Sequence, residues 1–334
     1  MQTRLCRASR SCSRNSRATR RVSPSVPESL NQPHRPNTKL QSALARRFVR
    51  LLSGSETGKP PWLKQVADGE EAGLYLPNQA PWIVHADFAT LVGGVRALLM
   101  QALHPGSLTG VRQHSRYKDD PLGRLAGTIR WLTVTTFGPI ESNLKEANRV
   151  NRLHTRVKGE YQTSTGESRH YQAADKDLLL WVHVAFMDSF LRAHQNYSKR
   201  PIPGGADEYV RLWAASVKPL GLDVAPQNEK ELLETLATFE TQLVVTEETR
   251  DVIKWIKNPP LPTLAKPFYR LFFFAALASM PQSYQNLIGE RALPLWFVKS
   301  QTTNLLRLMR FAIGNESPIE EASVARLRRI GAWQ

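Results

Sequence analysis

Eight histidines punctuate the chain, and one of them, His183, lies in a stretch with almost no polar company: Leu178-Leu-Leu-Trp-Val-His183-Val-Ala-Phe-Met-Asp188-Ser-Phe-Leu191. Read as a helix, this segment is apolar on nearly all sides and belongs at the centre of the protein. His183 then shares a face with Leu179, Leu180, Phe186, Met187 and Phe190, at offsets of three, four and seven residues. A neutral imidazole in such a place needs a partner for each nitrogen, or its burial costs on the order of 1–3 kcal/mol. Two readings meet that need. One is a core histidine bonded to a backbone carbonyl and a water; the other is a ligand to a metal or a haem iron. A haem suits the surroundings, because a macrocycle needs a large apolar slot and one axial nitrogen.

Three other histidines compete. His104 and His114 bracket a helix end and a loop, and His154 lies in Arg149-Val-Asn-Arg152-Leu-His154-Thr-Arg156-Val-Lys-Gly159. No pair has the spacing of a zinc hydrolase, and no Glu-x-x-His pairs suggest a di-iron bundle. A nucleophile elbow, a phosphate loop and a dinucleotide fingerprint are likewise missing. The basic run Arg149, Arg152, Arg156 follows one helix face. It reads either as a solvated surface or, beside a haem, as a set of cations for the propionates, with Arg124 and Arg130 candidates for the same task.

These side chains must be positioned by a chain of 334 residues with a formal charge of +16 and two cysteines. Most of the charge is in one place: residues 1–50 hold twelve Lys and Arg and one acid, Glu28. The remainder is close to neutral for its size, so no nucleic-acid-binding face is implied. Residues 1–27 contain seven arginines, six serines, no acid, and both cysteines, Cys6 and Cys12. That composition reads as a disordered tail (residues 1–40), with an organellar transit peptide or an over-extended start as other readings and a cytoplasmic location expected. A linker with one short helix around 42–52 follows over 41–80. From 81 to 334 one large helical domain is expected, cysteine-free and independent of disulfides and thiolate metal sites.

The period of the apolar residues is helical almost throughout that domain. Phe88, Leu91, Val92, Val95, Leu98, Leu99 and Ala102 mark one buried face, stopping before Pro105-Gly106. Further helices are predicted at 122–136, 140–158, 175–195, 207–217, 227–245, 248–257, 266–279, 293–313 and 318–329. The one strand signal is a hairpin across Tyr161 to Tyr171, turning near Gly166. Asp119-Asp120-Pro121 with Gly123 reads as a turn. The fold class is therefore all-α, about ten helices in globin-like packing, with no apolar run near the roughly 20 residues of a membrane span. Exposure of Phe268–Phe274 or of Trp296-Phe297 would give peripheral membrane association, although core burial is the commoner fate of such stretches.

Several linked motifs, in order, resemble the MpaB-like oxygenase family, which includes the catalytic domain of the latex clearing proteins. They are Leu91-Val-Gly-Gly-Val-Arg96-Ala-Leu-Leu-Met-Gln101-Ala-Leu-His104-Pro-Gly, Gly110-Val-Arg-Gln-His114-Ser, and Asp120-Pro-Leu-Gly-Arg124-Leu-Ala-Gly-Thr128. His154 with Val157 and Gly159, Tyr171-Gln-Ala-Ala-Asp175, and Trp181-Val-His183 with Asp188-Ser complete the set, which spans about residues 80 to 290.

The resemblance implies an all-helical domain holding one non-covalent haem b, with iron as the metal and oxygenase or oxidase activity. By similarity, His183 is the proximal ligand, and the helix with Arg149, Arg152 and His154 matches one that contributes polar residues near the haem. The expected site is His183 on iron, Arg149, Arg124, Leu179, Phe186 and Met187 around the cofactor, and His154 or Arg152 facing dioxygen. The expected substrate is small, apolar and unsaturated, isoprenoid- or lipid-like. A haem-binding or sensing protein without turnover, and a helical scaffold without cofactor, are the competing readings.

Overall fold

A capping box opens the first helix: the Thr38 hydroxyl accepts the Gln41 N–H at 3.2 Å while the Gln41 side chain accepts the Thr38 N–H at 2.9 Å. Helix α1 runs over Lys39–Ser53 and stops at Gly54, whose φ of +67° costs a glycine nothing. The computed structural model describes residues 38–55, 57–114, 121–314 and 317–334, apart from the side chains of 113, 114, 121, 122 and 124. The predicted tail with Cys6 and Cys12, the Asp119-Asp120 turn, and the side chains of His114 and Arg124 lie outside the described residues. Those described fall in one compact unit, 34–334.

The helices follow as α2 (Leu63–Ala67), α3 (Ala80–Ala86), α4 (Ala89–Leu103), α5 (Pro105–His114), α6 (Pro121–Phe137) and α7 (Ile140–His154). A hairpin of β1 (Lys158–Gln162) and β2 (Ser168–Gln172) separates these from the longest helix, α8 (Lys176–Tyr197). Then come α9 (Gly205–Trp213), α10 (Glu229–Phe239), α11 (Glu247–Lys257), α12 (Lys266–Ala278), α13 (Gln282–Ile288), α14 (Leu295–Ile313) and α15 (Pro318–Arg329). The fold is all-α, as the apolar period predicts.

The hairpin is antiparallel with Tyr161 opposite Arg169, and it turns through Gly166 at φ +85°. The helix predicted over 140–158 ends earlier, at His154, because Lys158 and Gly159 pair with β2. Four short helices carry no clear period and escape the sequence reading: α2, α3, α5 and α13. Helix α4 stops before Pro105 as read, and the same proline is also the first residue of α5, where its missing N–H is not needed. Part of the predicted linker is also core. Trp62, Val66 and Tyr75 are buried, the first two in a cluster with Trp82, Val134, Phe137, Ile319 and Leu327.

Helices α3 and α4 meet at 92°. The corner is held by Asp87, buried, which accepts from the Ala89 N–H at 2.8 Å, the Ser198 hydroxyl at 2.8 Å and the Arg310 guanidinium at 2.7 Å. From there α4 lies along α8, the most extensive helix pairing in the molecule. Their packing buries Val92, Val95, Leu99, Trp181, Val184 and Met187, and so sets α8 as the central helix. No single helix among the described residues is long and apolar enough to cross a membrane.

Candidate functional site

The closeness of α4 to α8 is set by one residue. A Cβ built on Gly93 would sit 2.7 Å from Phe190 Cδ1 and 3.2 Å from both Phe190 Cα and the Ser189 carbonyl oxygen, so only a glycine admits this approach. One turn on, Arg96 reaches across the seam. Its guanidinium lies 2.7 Å from Asp188 Oδ2 and donates to Ser189 Oγ at 3.0 Å. Both ion-pair partners are essentially inaccessible, at 1% and 2% exposure. Asp188 is held a second time by Arg192 Nε at 3.1 Å. A buried carboxylate with two guanidiniums is fully compensated, and it fixes the rotation of α8 about its axis.

That rotation places His183 in the interior, 3% exposed. Its Nε2 is buried and has no hydrogen-bond partner. Burial pushes its pKa down to about 3, so the imidazole is neutral and offers a lone pair. Leu179 and Met187, one turn to either side, are buried, and Phe186 is half-buried. No protein group among the described residues bonds that nitrogen, which leaves it for a ligand or a water. An uncharged imidazole with an open nitrogen among apolar side chains is a donor set that fits an axial ligand to haem iron.

Phe186 leads away from His183 into a closed circuit of rings that the sequence does not announce. Phe186 stacks on Phe190 at 5.6 Å between centroids, and Phe190 meets His85 at 5.2 Å. His85 meets Trp213 at 4.3 Å, Trp213 meets Trp131 at 5.8 Å, and Trp131 returns to Phe186 at 6.4 Å. His85 is the polar member, and both its nitrogens are satisfied: Nδ1 is 2.8 Å from Thr136 Oγ1 and Nε2 is 3.0 Å from Tyr209 Oη. His85 is therefore a core histidine, and the contrast with His183 is a matter of partners, since burial holds its pKa at about 3 as well.

The remaining candidates do not all converge. His104 packs against Trp181 at 5.9 Å, which is about 200° around the α8 axis from His183. It lines a cavity of about 340 Å³ with Tyr161, Arg169, Tyr171, Asp175 and Gln242, whose polar wall suits neither a macrocycle nor an apolar substrate. Arg149 is committed to the buried carboxylate of Glu146, by 3.0 Å bonds from Nε and a 2.6 Å bond from Nη2. Arg130 Nε approaches the same carboxylate at 2.9 Å. The predicted basic stripe is thus broken: Arg149 and Arg130 neutralise Glu146, whereas Arg152 and Arg156 are exposed to solvent. His154, at the end of α7, is half-buried with Nδ1 unpartnered, and burial lowers its pKa.

Arg96, Asp188 and His85 were not foreseen as functional positions. A signal for the first two existed: Arg96 is the one charge in α4 and Asp188 the one charge in the apolar run 178–191, and such charges are buried only when paired. Among the described residues, no three or more His, Cys, Asp or Glu side chains are grouped to hold a metal ion.

A model of the family described as "ER-bound oxygenase mpaB/B'/Rubber oxygenase, catalytic domain" matches residues 82–313, which include both helices of the central pair, His154 and His183. No curated protein and no solved structure is significantly similar to the chain.

Proposed function

Because the chain belongs to the family of the mpaB and rubber oxygenase catalytic domain, and is thereby an oxidoreductase that acts on a substrate and dioxygen, we propose that it holds one non-covalent haem b through His183 and oxidises an apolar, unsaturated, isoprenoid- or lipid-like substrate. The observation that carries this reading is the unpartnered Nε2 of His183 in an apolar interior. An imidazole left without a partner costs stability, and a ligand for that nitrogen removes the cost.

A bound haem supplies the iron chemistry that activates dioxygen, which amino-acid side chains do not provide. The protein's own contributions are separate from it. His183, neutral at any physiological pH, needs to lose no proton before it ligates. Leu179, Phe186 and Met187 provide the apolar wall that holds a macrocycle and keeps water out, and Arg96–Asp188 holds their helix in register. His154, with one nitrogen free and a lowered pKa, is on this reading the neutral polar group that faces dioxygen, as the family resemblance implies. Arg152 is left out of this role because its side chain faces solvent.

The test is the ultraviolet–visible spectrum of the purified protein beside His183→Ala prepared identically. The reading requires a Soret band in the wild type that weakens or shifts in the variant, followed by oxygen uptake dependent on an unsaturated lipid or terpenoid. A wild type without a Soret band after haem is added back removes it.

A further inference from the structure

Charge is not spread evenly over the folded part of the chain. From residue 51 onward there are 33 basic and 28 acidic residues. Residues 259–314 hold six of those cations and one acid, Glu290, so this single segment accounts for the whole excess of five. Glu290 is itself taken by Lys257 at 2.6 Å. Neither α12 nor α14 contains an acid, and neither does α1, which lies against α14.

The same segment exposes large apolar side chains. On α14 the inward face is Val298, Thr302 and Leu306, all buried. At 100° per residue, Trp296, Arg307, Ser300, Phe311, Asn304, Phe297 and Leu308 fall in one outward arc of about 120°, and Lys299, also exposed, lies about 60° beyond its Trp296 edge. Trp296 is 75% exposed, Leu308 59% and Phe311 78%. From Trp296 to Phe311 the face is about 22 Å long. It continues onto α1, where Gln41 donates to the Phe311 carbonyl at 2.8 Å beside Leu40, 70% exposed.

We propose that this face of α14 docks the enzyme peripherally on an anionic lipid bilayer, with Trp296, Leu308 and Phe311 entering the headgroup region and Lys299 and Arg307 meeting the phosphates. Charge complementarity selects the occupant. A second copy of the chain would set Lys299 and Arg307 against their own equivalents with no acid in α14 or α1 to meet them, which repels. Residues 1–27 carry seven arginines and no acid, so they complement the face no better. A negatively charged interface that accepts aromatic and aliphatic side chains satisfies both components at once. The proposal does not depend on the haem.

The test is co-flotation of the full-length protein with phosphatidylcholine vesicles and with vesicles also containing phosphatidylserine. The wild type is expected to float with the anionic vesicles only. Lys299→Gln with Arg307→Gln should weaken that binding about thirtyfold, at about 1 kcal/mol for each cation near the surface. Trp296→Ser with Phe311→Ser should weaken it about tenfold or more, and this loss should persist in high salt. All four positions are exposed, and unchanged circular dichroism verifies the fold. Failure of the wild type to float with anionic vesicles overturns the proposal. Undiminished binding by both double variants also overturns it and assigns binding to the arginine-rich N-terminal segment. A wild type that is dimeric, with a monomeric Trp296→Ser/Phe311→Ser variant, overturns it in favour of self-association.

Discussion

Arg96 and Asp188 meet at 2.7 Å across the seam between the two central helices, both sealed from water. Asp188 lies five residues, about one and a half turns, beyond His183 on α8, so the register the pair fixes is also the register that buries the candidate iron ligand. Removing Asp188 leaves the Arg96 guanidinium bare in the core, whereas removing Arg96 leaves Asp188 still paired with Arg192. Arg96→Met should therefore cost less than Asp188→Leu, which should lower the stability measured by urea denaturation by about 3–5 kcal/mol. The double variant should recover part of that loss, since neither charge is then stranded. Additive losses would show the pair to be energetically uncoupled.

Two adjacent glycines of α4 should respond in opposite directions. Gly93→Ala drives a methyl into the backbone of α8 and should destabilise by about 1–3 kcal/mol. A Cβ at Gly94 meets nothing within 4 Å. Gly94→Ala should therefore be neutral or stabilising by up to about 1 kcal/mol, the gain in helix propensity. Thermal denaturation of the two variants decides the matter; equal shifts would mean that the close approach at Gly93 is absent.

His183 also makes a thermodynamic prediction for the haem-free protein. Its pKa is about 3 when folded, against 6.5 as the ordinary value. The folded state keeps the ring neutral while the unfolded state takes up a proton below pH 6.5. Stability is therefore complete above that pH and drains away as pH falls toward 3. By pH 5 the loss from this one ring is about 2 kcal/mol. His183→Leu should lose about that much less between pH 7 and pH 5 in urea titrations, because His85 titrates in both proteins alike.

Tyr209→Phe strips His85 of the partner at its Nε2 while leaving the ring stack intact. An unsatisfied buried nitrogen costs about 1–3 kcal/mol, and guanidinium unfolding should show a loss of that size. A loss near zero would indicate that another partner for Nε2 is found on relaxation.

Much of this could be read from residues alone. The apolar run around His183 placed the central helix, and the period of Phe88 to Ala102 placed the helix that packs on it. Gly166 located the hairpin turn. What escaped was of two kinds. Short helices such as α2 and α5 have too few residues for a period to register, and Pro105 reads equally as an end and a beginning. Partnerships between distant residues left no periodic trace: a helix face cannot tell that Arg149 is spent on Glu146, or that Phe186 joins a circuit closed by His85 and two tryptophans. The absence of any partner on His183 Nε2 was beyond sequence for the same reason, since spacing ranks neighbours on one helix and is blind to the helices opposite.

The corner at Asp87 has a consequence for how the chain is made. Its carboxylate is buried where α3 turns into α4, and one of its clamps, Arg310, comes 223 residues later. During synthesis, residues 80–103 leave the ribosome long before that arginine exists, so the corner cannot close in the order in which it is translated. Until α14 emerges, the carboxylate has the Ala89 N–H and, once residue 198 is made, the Ser198 hydroxyl as partners, but lacks the Arg310 countercharge. Final closure of the corner is therefore an event of the finished chain, and a product truncated before residue 310 should remain a substrate for chaperones and proteases.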